Sequence, residues 1–499
     1  MAGEDDALEH ENYWGVGAFR VRFKLSNLFP GGGFSIRRFS IAEAAVLLMI
    51  AYLASKGLGV VRQTIFNTIF GTGFEANAYY AAFRLPDTLF NLIAGGALTQ
   101  AFIPVFVSYE REKGQREAWY LASLVFNVLL VALTILILIG AILAPQFVSR
   151  LLVPGYPPAE QALTITLTRI MLIQPLILGL GTIATAILHS KRQFLMPAVS
   201  IAIYNIGLIG GLLVTLAIPR VGIYGPTFGV LAAAGCQVAV QLPALRKQGV
   251  RYQFVWNLKH PGLREIMMLF IPSAMAVGVA YVGFIAETAF TSYLPDPASL
   301  AALHNAFMLF ALPISLVAQA ISQAALPQMS SMAAAGQYAS LRQLSFKVIA
   351  SSILLSVPSA IALWLFGGFA IRLLFQHGAF TAHSTAVTTL ALIGYAVGLP
   401  GVAVGDLVAR SFYALKDGRT PLFTNIFALV VRVGLIILLL GMLKGMAIIL
   451  AIPLAFGGAS TAEALLLCLV LFIRLRKKMD RQKMAASPEV VIEPTAEPL

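Results

Sequence analysis

Twelve long apolar stretches divide this sequence, and they constrain its fold more than any other feature. Each holds roughly 18 or more residues, which is long enough to cross about 30 Å of hydrocarbon as a helix. Their approximate bounds are 41–70, 76–108, 118–148, 160–188, 195–218, 222–245, 265–293, 299–327, 345–371, 384–415, 422–443 and 446–473. Charged residues make up 11% of the chain, whereas soluble domains carry about 25%. Because backbone groups in lipid must be hydrogen-bonded internally, we predict an all-α, polytopic membrane protein with about 12 transmembrane helices.

Lysine and arginine are distributed unevenly between the two sides that these spans define. If the N-terminus is cytoplasmic, that side holds 25 of the 35 basic residues, the opposite turns hold four, and six lie inside spans. This asymmetry predicts a multi-pass protein with cytoplasmic N- and C-termini. It also accounts for the net charge of +13 without a nucleic acid partner, and it favours contact of the basic C-terminal tail with membrane lipids. Residues 1–40 lack a signal-peptide pattern and are expected to form a cytoplasmic tail.

A weak internal repeat relates the two halves of the chain. Segment 99–104 recurs as 322–327, and three further pairs of short motifs recur at offsets between 222 and 227. The repeat contains six spans, so both copies have the same orientation, which is typical of transporters whose lobes rock around a central site. The predicted organisation is an N-terminal lobe over 41–246, a cytoplasmic interlobe loop over 247–264, a C-terminal lobe over 265–473 and a basic, then flexible, cytoplasmic tail over 474–499.

Two basic residues on the first span are the strongest candidates for a binding site. Lys56 and Arg62 lie around Gly57 and Gly59, and no acidic residue is within one helical turn of either in the sequence. A charged group near the bilayer centre costs about 2.5–3.5 kcal/mol on insertion scales, so such groups usually face a cavity or a partner. Arginine presents a planar fork that matches phosphate oxygens, so the pattern favours a cavity that receives an anion.

The other embedded charges are candidates for further ligand contacts or for structural pairs. Arg84 and Arg169 are predicted to assist in anion binding. Asp406 and Arg410 are spaced i,i+4, which predicts an ion pair on one helix face, and Arg84 is close enough to Asp87 to pair as well. For Glu287 and Arg432, ion coupling and structural pairing both remain open, and Glu463 is predicted to be structural.

Enzyme chemistry has little support in this sequence. The two cysteines, Cys236 and Cys468, lie in apolar runs, and His304 and His383 are isolated. Neither a phosphate-binding loop of the Walker type nor a His-Glu-x-x-His pattern occurs, so ATP hydrolysis, metal catalysis and a bound cofactor are not expected. Transport would then be driven by the membrane potential or by coupling to Na⁺ or H⁺, with Glu287 and Asp406 as candidate coordinating groups.

Two blocks of short motifs carry a resemblance to a known family. The first block is Ser55-Lys56-x-Leu58-Gly59-x-x-Arg62, Phe70-Gly71-x-Gly73, Ala82-Phe83-Arg84-x-Pro86 and Ala101-Phe102-x-Pro104. The second is Gly378-Ala379-Phe380, Gly398-Leu399-Pro400 and Phe412-Tyr413-Ala414-Leu415-Lys416-Asp417-x-Arg419-Thr420-Pro421. Together they resemble the MurJ/MviN family of lipid II flippases, within the multidrug/oligosaccharidyl-lipid/polysaccharide exporter superfamily. The resemblance implies a protein of the bacterial cytoplasmic membrane that moves an undecaprenyl-diphosphate-linked disaccharide-pentapeptide to the outer leaflet for peptidoglycan synthesis.

The resemblance places the family's first-span basic pair on Lys56 and Arg62, but other charged positions differ. The acidic position after the Gly-x-Gly turn is Asn77, which the resemblance places at the substrate site. A basic position of the second span is Phe90, a glutamate position is Gly95, and the eighth-span arginine is missing around Met308. Many family members also have fourteen helices, two more than the stretches counted here. These differences preserve the expected fold and leave the exact cargo open.

The leading hypothesis is a lipid-linked oligosaccharide flippase, for lipid II in the first instance, that works by alternating access. Export of another lipid-linked glycan, antiport of drugs or small molecules, and a transport-inactive paralogue are the alternatives. A membrane glycosyl- or acyltransferase would need clustered acids or a histidine in an outer loop, and the outer loop at 294–298 contains one acid, Asp296. The sequence does not indicate an oligomeric state.

Overall fold

The computed structural model describes residues 41–415 and 417–486, and every regular element within these ranges is helical. The predicted N-terminal tail, Lys416 and residues 487–499 lie outside the described residues. Ten segments are long and apolar enough to cross a membrane. The first and eighth predicted spans, which complete the set of twelve, are helices of 30 and 36 residues. The predicted all-α polytopic fold is confirmed.

In the first half of the chain, three of the six spans are interrupted. The helices over this half are α1 (Ile41–Phe70), α2 (Phe74–Leu89), α3 (Gly96–Glu112), α4 (Gln115–Phe147), α5 (Pro158–Met171), α6 (Ile173–Ser190), α7 (Leu195–Ala217), α8 (Tyr224–Ala239) and α9 (Leu242–Lys247). The second span consists of α2 and α3, the fourth of α5 and α6, and the sixth of α8 and α9.

In the second half, each span is built on one continuous α-helix. These helices are α10 (Pro261–Thr291), α11 (Ser299–Ala334), α12 (Tyr338–Phe375), α13 (Ala382–Ala414), α14 (Arg419–Met442) and α15 (Ala451–Ala486), the last preceded by a 3₁₀ segment over Gly445–Leu450. Pro272, Pro358 and Pro400 lie inside α10, α12 and α13 without ending them. The two halves therefore share a span order but differ in where their helices break.

The break in the second span follows from its sequence. α2 contains Pro86 near its end, a π-helical turn covers Phe90–Ala94, and Gly95 has extended backbone with φ −70° and ψ −161°. Proline removes one helical hydrogen bond and crowds the preceding turn. A Cβ atom on Gly95 would lie 2.7 Å from the carbonyl oxygen of Asn91. Proline weakens the end of α2, and the glycine permits the turn from which α3 begins.

Close helix packing holds each half together. A Cβ atom on Gly211 in α7 would lie 2.6 Å from the Cα atom of Gly229 in α8, and Gly398 in α13 faces Gly457 in α15 in the same way. Helix association in lipid depends on such close backbone contact, because lipid tails are as apolar as the side chains they surround. These contacts fix α7 on α8 and α13 on α15.

Large apolar side chains cover the outside of the bundle, and polar groups lie inside it. Ile142 on α4 is 70% exposed and Leu354 on α12 is 73% exposed, whereas Asn67 and Asn305 are fully buried. Extended apolar surface of this kind marks contact with a membrane. α10 packs against both α3 and α14, so it contacts both halves of the chain.

Candidate substrate cavity

A cavity of about 190 Å³ lies between α1, α2, α7 and α8 of the first half and α11 of the second half. Its charged lining residues are Arg62, Arg84 and Asp87. The remaining lining residues are Gln63, Phe66, Tyr79, Tyr80, Phe83, Leu208, Leu212, Pro226 and His304. The cavity therefore combines two guanidinium groups with aromatic walls at the interface of the halves.

The two arginines reach this cavity from neighbouring helices at similar depth. Arg62 lies eight residues before the end of α1 at Phe70, and Arg84 lies ten residues after the start of α2 at Phe74. At 1.5 Å per residue, both are about 12–15 Å from the same end of the bundle. Among the described residues, no carboxylate lies within 4.0 Å of Arg62. The guanidinium of Arg62 is therefore available to an anionic group in the cavity.

Arg84 and Asp87 are held by separate partners. Arg84 Nε donates to Thr288 Oγ1 in α10 at 3.1 Å, and its guanidinium lies 5.5 Å from the centre of the Phe284 ring. Asp87 Oδ1 accepts a hydrogen bond from Asn91 Nδ2 at 2.9 Å. The i,i+3 spacing permits an ion pair between Arg84 and Asp87, but these two side chains bond to other residues instead. Arg84 instead connects α2 with α10 through the hydrogen bond from its Nε to Thr288 and through the contact of its guanidinium with the Phe284 ring.

An amide cluster joins the two halves beside the cavity. Gln63 Nε2 donates to Asn305 Oδ1 at 2.8 Å and to the Tyr80 hydroxyl at 2.5 Å, and Asn67 Nδ2 donates to Asn305 Oδ1 at 2.9 Å. The Tyr80 ring stacks on His304 with 4.0 Å between the ring centroids. We call Gln63, Asn67 and Asn305 the interlobe latch, because they connect α1 to α11 through buried hydrogen bonds.

Backbone and hydroxyl contacts close the same end of the bundle, which we call the latched end. Thr72 Oγ1 and Ser384 Oγ are 2.7 Å apart, and the amide of Ala379 donates to the carbonyl oxygen of Thr68 at 2.9 Å. Gly71 has a φ of +58°, and a Cβ atom there would collide with the carbonyl of Ala379. Glycine tolerates this left-handed conformation and the close approach. The loops after α1 and α12 therefore fit against each other.

Asn77, which the sequence resemblance places at the substrate site, belongs to this closure and does not line the cavity. Its Nδ2 donates to the carbonyl oxygen of Pro297, and its Oδ1 accepts from the amide of Ala301 at 3.0 Å. The side chain is 3% exposed. Asn77 holds the start of α2 against the start of α11.

The structure separates the four predicted anion-binding cations into two groups. Arg62 and Arg84 both line the cavity, whereas Lys56 is a half-buried residue of α1 outside the lining. Arg169 is exposed on α5, where its Nε donates to the carbonyl oxygen of Ala141 in α4 at 3.0 Å. Of the four predicted cations, Arg62 and Arg84 are therefore the two that can bind an anion in the cavity.

The remaining embedded charges contact polar or charged partners within the protein. Arg432 Nη1 lies 3.3 Å from Glu287 Oε1, and their side chains are 12% and 7% exposed. Arg410 Nη2 lies 3.0 Å from Asp406 Oδ2, as the i,i+4 spacing predicts. Glu463 accepts a hydrogen bond from a threonine of α14 at 3.3 Å. The described part of the chain contains no group of three or more His, Cys, Asp or Glu residues that could hold a metal ion.

Three positions at which the resemblance predicts charged groups hold uncharged residues with structural roles here. Phe90 begins the π-helical turn of the second span, and Gly95 follows its end. Met308 packs against the apolar core of the second half. These residues therefore shape helices and core at positions where the sequence resemblance predicts charged groups.

The motif around Asp417 is explained as a helix cap. Asp417 Oδ1 accepts from the backbone amides of Arg419 and Thr420 at 3.0 and 3.2 Å, and Asp417 Oδ2 contacts Arg474 in α15. Burial alone would raise the pKa of Asp417, but a hydrogen bond from the Thr420 hydroxyl, the two backbone hydrogen bonds and the Arg474 guanidinium lower the pKa below its ordinary value. The carboxylate therefore stabilises the start of α14 and attaches it to α15.

Sequence reasoning missed the neutral residues of the site. Gln63 and Asn67 are spaced i,i+4 on an apolar span, and His304 and Asn305 are adjacent on another, so polar side chains inside apolar runs were the available signal. The contact between Gln63 and Asn305 joins residues 242 positions apart. Only the packing of α1 on α11 shows that these residues meet.

The fold and the cavity define a class of protein: a polytopic helical transporter with two six-span halves and a basic cavity between them. Comparison of the sequence with known families gives a more specific result. The family described as Lipid II flippase MurJ matches residues 66–489. The chain therefore belongs to the MurJ family.

Individual relatives and solved structures agree with this placement. A Burkholderia cenocepacia protein named Lipid II flippase MurJ is 30% identical over 388 residues, which cover 76% of this chain and 74% of the relative. A structure of Lipid II flippase MurJ in an inward closed conformation matches with a TM-score of 0.73, at 24% identity, over 89% of this chain and 94% of that one. An inward-facing multidrug resistance MATE family transporter matches with a TM-score of 0.72, at 14% identity, over 88% and 99% of the two chains. Both structural matches support the fold.

Proposed function

We propose that this protein moves lipid II from the inner to the outer leaflet of the bacterial cytoplasmic membrane by alternating access. The observation that carries the proposal is the convergence of Arg62 and Arg84 in a cavity between the two halves, beside the interlobe latch. Membership of the MurJ family supports the choice of cargo.

The proposed role of the two arginines is to bind the diphosphate of the carrier lipid. A guanidinium group donates two parallel hydrogen bonds to phosphate oxygens, and it cannot lose its proton at physiological pH. Arg62 has no carboxylate within 4.0 Å among the described residues, and Arg84 uses only Nε for its contact with Thr288. Two such groups on neighbouring helices supply the charge that a diphosphate needs in a protein interior.

The size of the cavity limits which part of the cargo it holds. At about 190 Å³, it is smaller than the roughly 300–1,000 Å³ pockets that enclose drug-sized ligands. We therefore assign the diphosphate to the cavity, the sugar and peptide to the space between the lobes, and the polyprenyl chain to the surrounding lipid. A polar path is required because each unpartnered polar group costs several kcal/mol in hydrocarbon.

The distribution of basic residues supports an orientation for this cycle. With the N- and C-termini in the cytoplasm, the latched end faces the outside of the cell. The contacts Thr72–Ser384 and Ala379–Thr68 then close the outer side. The described conformation is therefore, in this proposal, the one that precedes release to the outer leaflet.

We propose the membrane potential as the driving force. Glu287 is paired with Arg432 and Asp406 with Arg410, so each candidate carboxylate for Na⁺ or H⁺ coupling already faces an arginine. A potential that is negative inside favours outward movement of an anionic headgroup by about 2.3 kcal/mol per charge per 100 mV. This energy is sufficient to bias the direction of transport without a coupling ion.

Complementation tests the proposed cargo. In bacteria depleted of their own lipid II flippase, expression of this chain is expected to restore growth and the appearance of lipid II in the outer leaflet, measured with an impermeant label. Empty vector is the control. Failure of a membrane-inserted, normally expressed protein to restore either readout would exclude lipid II as its cargo and favour another lipid-linked glycan, a small molecule or an inactive paralogue.

A disulfide across the latched end should block transport reversibly. The side-chain oxygens of Thr72 and Ser384 are 2.7 Å apart, so Thr72→Cys with Ser384→Cys should crosslink when Cys236 and Cys468 are replaced by alanine. Oxidation is expected to stop lipid II flipping and reduction to restore it, because the two lobes must separate here. Each single cysteine variant is the control. Undiminished flipping by fully crosslinked protein would contradict alternating access through this end.

A further inference from the structure

The segment between α9 and α10 is attached along α4 and does not extend away from the bundle. Residues 250–257, which we call the strap, have no helical structure. Asn127 Nδ2 donates to the carbonyl oxygen of Val255 at 3.0 Å, and the amide of Gln253 donates to Ser123 Oγ at 3.1 Å. The Tyr252 hydroxyl donates to Asn127 Oδ1 at 2.8 Å. Two polar side chains of α4 therefore fix the path of the strap.

Two aromatic residues of the strap, Phe254 and Trp256, are exposed, whereas Tyr252 is tied to α4 through its hydroxyl. The backbone groups that bond to α4 belong to Arg251, Gln253 and Val255, which are spaced two residues apart, as expected for an extended chain with a period of two. Phe254 and Trp256 are 79% and 50% exposed, and the Tyr252 ring lies 5.6 Å from the centre of the Phe126 ring of α4. Exposed aromatic residues at this density are costly in water but typical of the membrane–water interface, where tyrosine and tryptophan are enriched.

The depth of the anchoring residues indicates what surrounds these aromatic groups. α4 has 33 residues, so it is about 50 Å long and extends roughly 10 Å beyond each side of a 30 Å hydrocarbon core if it is centred. Ser123 and Asn127 lie eight and twelve residues after Gln115, which places them about 12 and 18 Å from the start of the helix. Ser123 therefore lies about 2 Å, and Asn127 about 8 Å, inside the boundary between headgroups and acyl chains.

Non-helical backbone at this depth requires hydrogen-bond partners. An unpaired backbone group in a bilayer costs several kcal/mol, so irregular chain is tolerated there only where the protein satisfies it. Ser123 and Asn127 supply such partners, and their own side chains are 5% and 1% exposed. This function explains why two polar residues occur on the strongly apolar helix α4.

We propose that the strap is an interfacial anchor whose partner is the bilayer itself, at the cytoplasmic leaflet in the orientation argued above. Phe254 and Trp256 enter the region between headgroups and acyl chains. Exposed cations within the strap and on both sides of it contact anionic phospholipid headgroups. These cations are Arg246, Arg251, Lys259 and Arg264. The anchor keeps the linker between the lobes on the surface of α4, and it does not depend on the identity of the cargo.

Tryptophan quenching tests the anchor in the full-length protein. The signal of Trp256 is obtained as the difference between wild type and Trp256→Phe in bilayers that contain phosphatidylglycerol. Bromine placed on the acyl chains near the headgroup is expected to quench Trp256 about twofold more than bromine near the chain ends, as for an interfacial group. Trp364, which is 58% exposed on α12, provides a lipid-facing comparison through Trp364→Phe.

The aqueous quencher iodide separates the other outcomes. Strong iodide quenching of Trp256 without lipid quenching would place the strap in water and overturn the proposal. Absence of both kinds of quenching would show that a protein segment covers the strap, and this result would also overturn it. Lipid quenching of Trp256 at shallow depth supports the anchor whether or not the protein transports lipid II.

A second variant tests the attachment to α4. Asn127→Ala removes a donor to the strap, so Trp256 is expected to lose lipid quenching and to gain iodide quenching. Thr134→Ala is the matched control, because Thr134 bonds only to the carbonyl oxygen of Leu130 within α4, at 2.7 Å. Unchanged Trp256 quenching in a folded Asn127→Ala protein would contradict the assigned role of Asn127.

Discussion

Replacement of Arg62 by alanine is expected to reduce lipid II flipping by about 10- to 100-fold, because hydrogen bonds to charged groups contribute about 1.5–3 kcal/mol. Arg62 lines the interlobe cavity, and among the described residues no carboxylate within 4.0 Å competes for it. Arg62→Lys should retain part of the activity, because lysine keeps the charge but loses the two-point contact with phosphate. The measurement is the initial rate at which lipid II becomes accessible in the outer leaflet.

Arg169→Ala is the matched control for this experiment. Arg169 is also an arginine within an apolar span, but it is exposed and donates to the carbonyl oxygen of Ala141 outside the cavity. Its replacement should leave flipping close to the wild-type rate at equal expression. A loss in Arg169→Ala as large as that in Arg62→Ala would show that position in the cavity does not determine which arginine matters.

The spans could be predicted from the sequence because hydrophobic length is a local property. The ion pair between Asp406 and Arg410 could also be predicted from the sequence, since both residues lie on one helix face. By contrast, Asn77 was predicted at the substrate site and lies in the closure at the latched end. Its two partners, Pro297 and Ala301, belong to the other half of the chain, so no local pattern identifies them.

The interlobe latch could not be predicted from the sequence either. Gln63 and Asn305 are neutral, so neither produces the large cost in lipid that makes a charged residue conspicuous in a sequence. Their hydrogen bond of 2.8 Å depends on the crossing of α1 and α11, which periodicity does not specify. Of the four cations predicted from the sequence, Arg62 and Arg84 line the cavity, whereas its closure required the three-dimensional structure.

Glu287→Ala is expected to lower the free energy of unfolding by about 3–5 kcal/mol, because it leaves a buried charge without its partner. Arg432 Nη1 is 3.3 Å from Glu287 Oε1, and both side chains are nearly excluded from the surface. Arg432 also lies 4.7 Å from the centre of the Phe456 ring, which cannot replace a carboxylate. Arginine keeps its charge in the protein interior, so loss of a proton does not relieve the imbalance. Denaturant unfolding of purified protein in mixed micelles measures the loss.

The double variant Glu287→Leu with Arg432→Met separates charge imbalance from packing. Replacement of a buried ion pair by apolar residues of similar volume is often neutral or stabilising, so the double variant should recover most of the stability that Glu287→Ala loses. Glu287→Gln addresses the competing role in ion coupling, because a coupling carboxylate would give altered Na⁺ or pH dependence of flipping without a large loss of stability. A double variant as unstable as the single one would mean that α10 is held against α14 by the packing of these two side chains and not by their charges. Recovery in the double variant would establish the pair as the element that neutralises Arg432 between these helices.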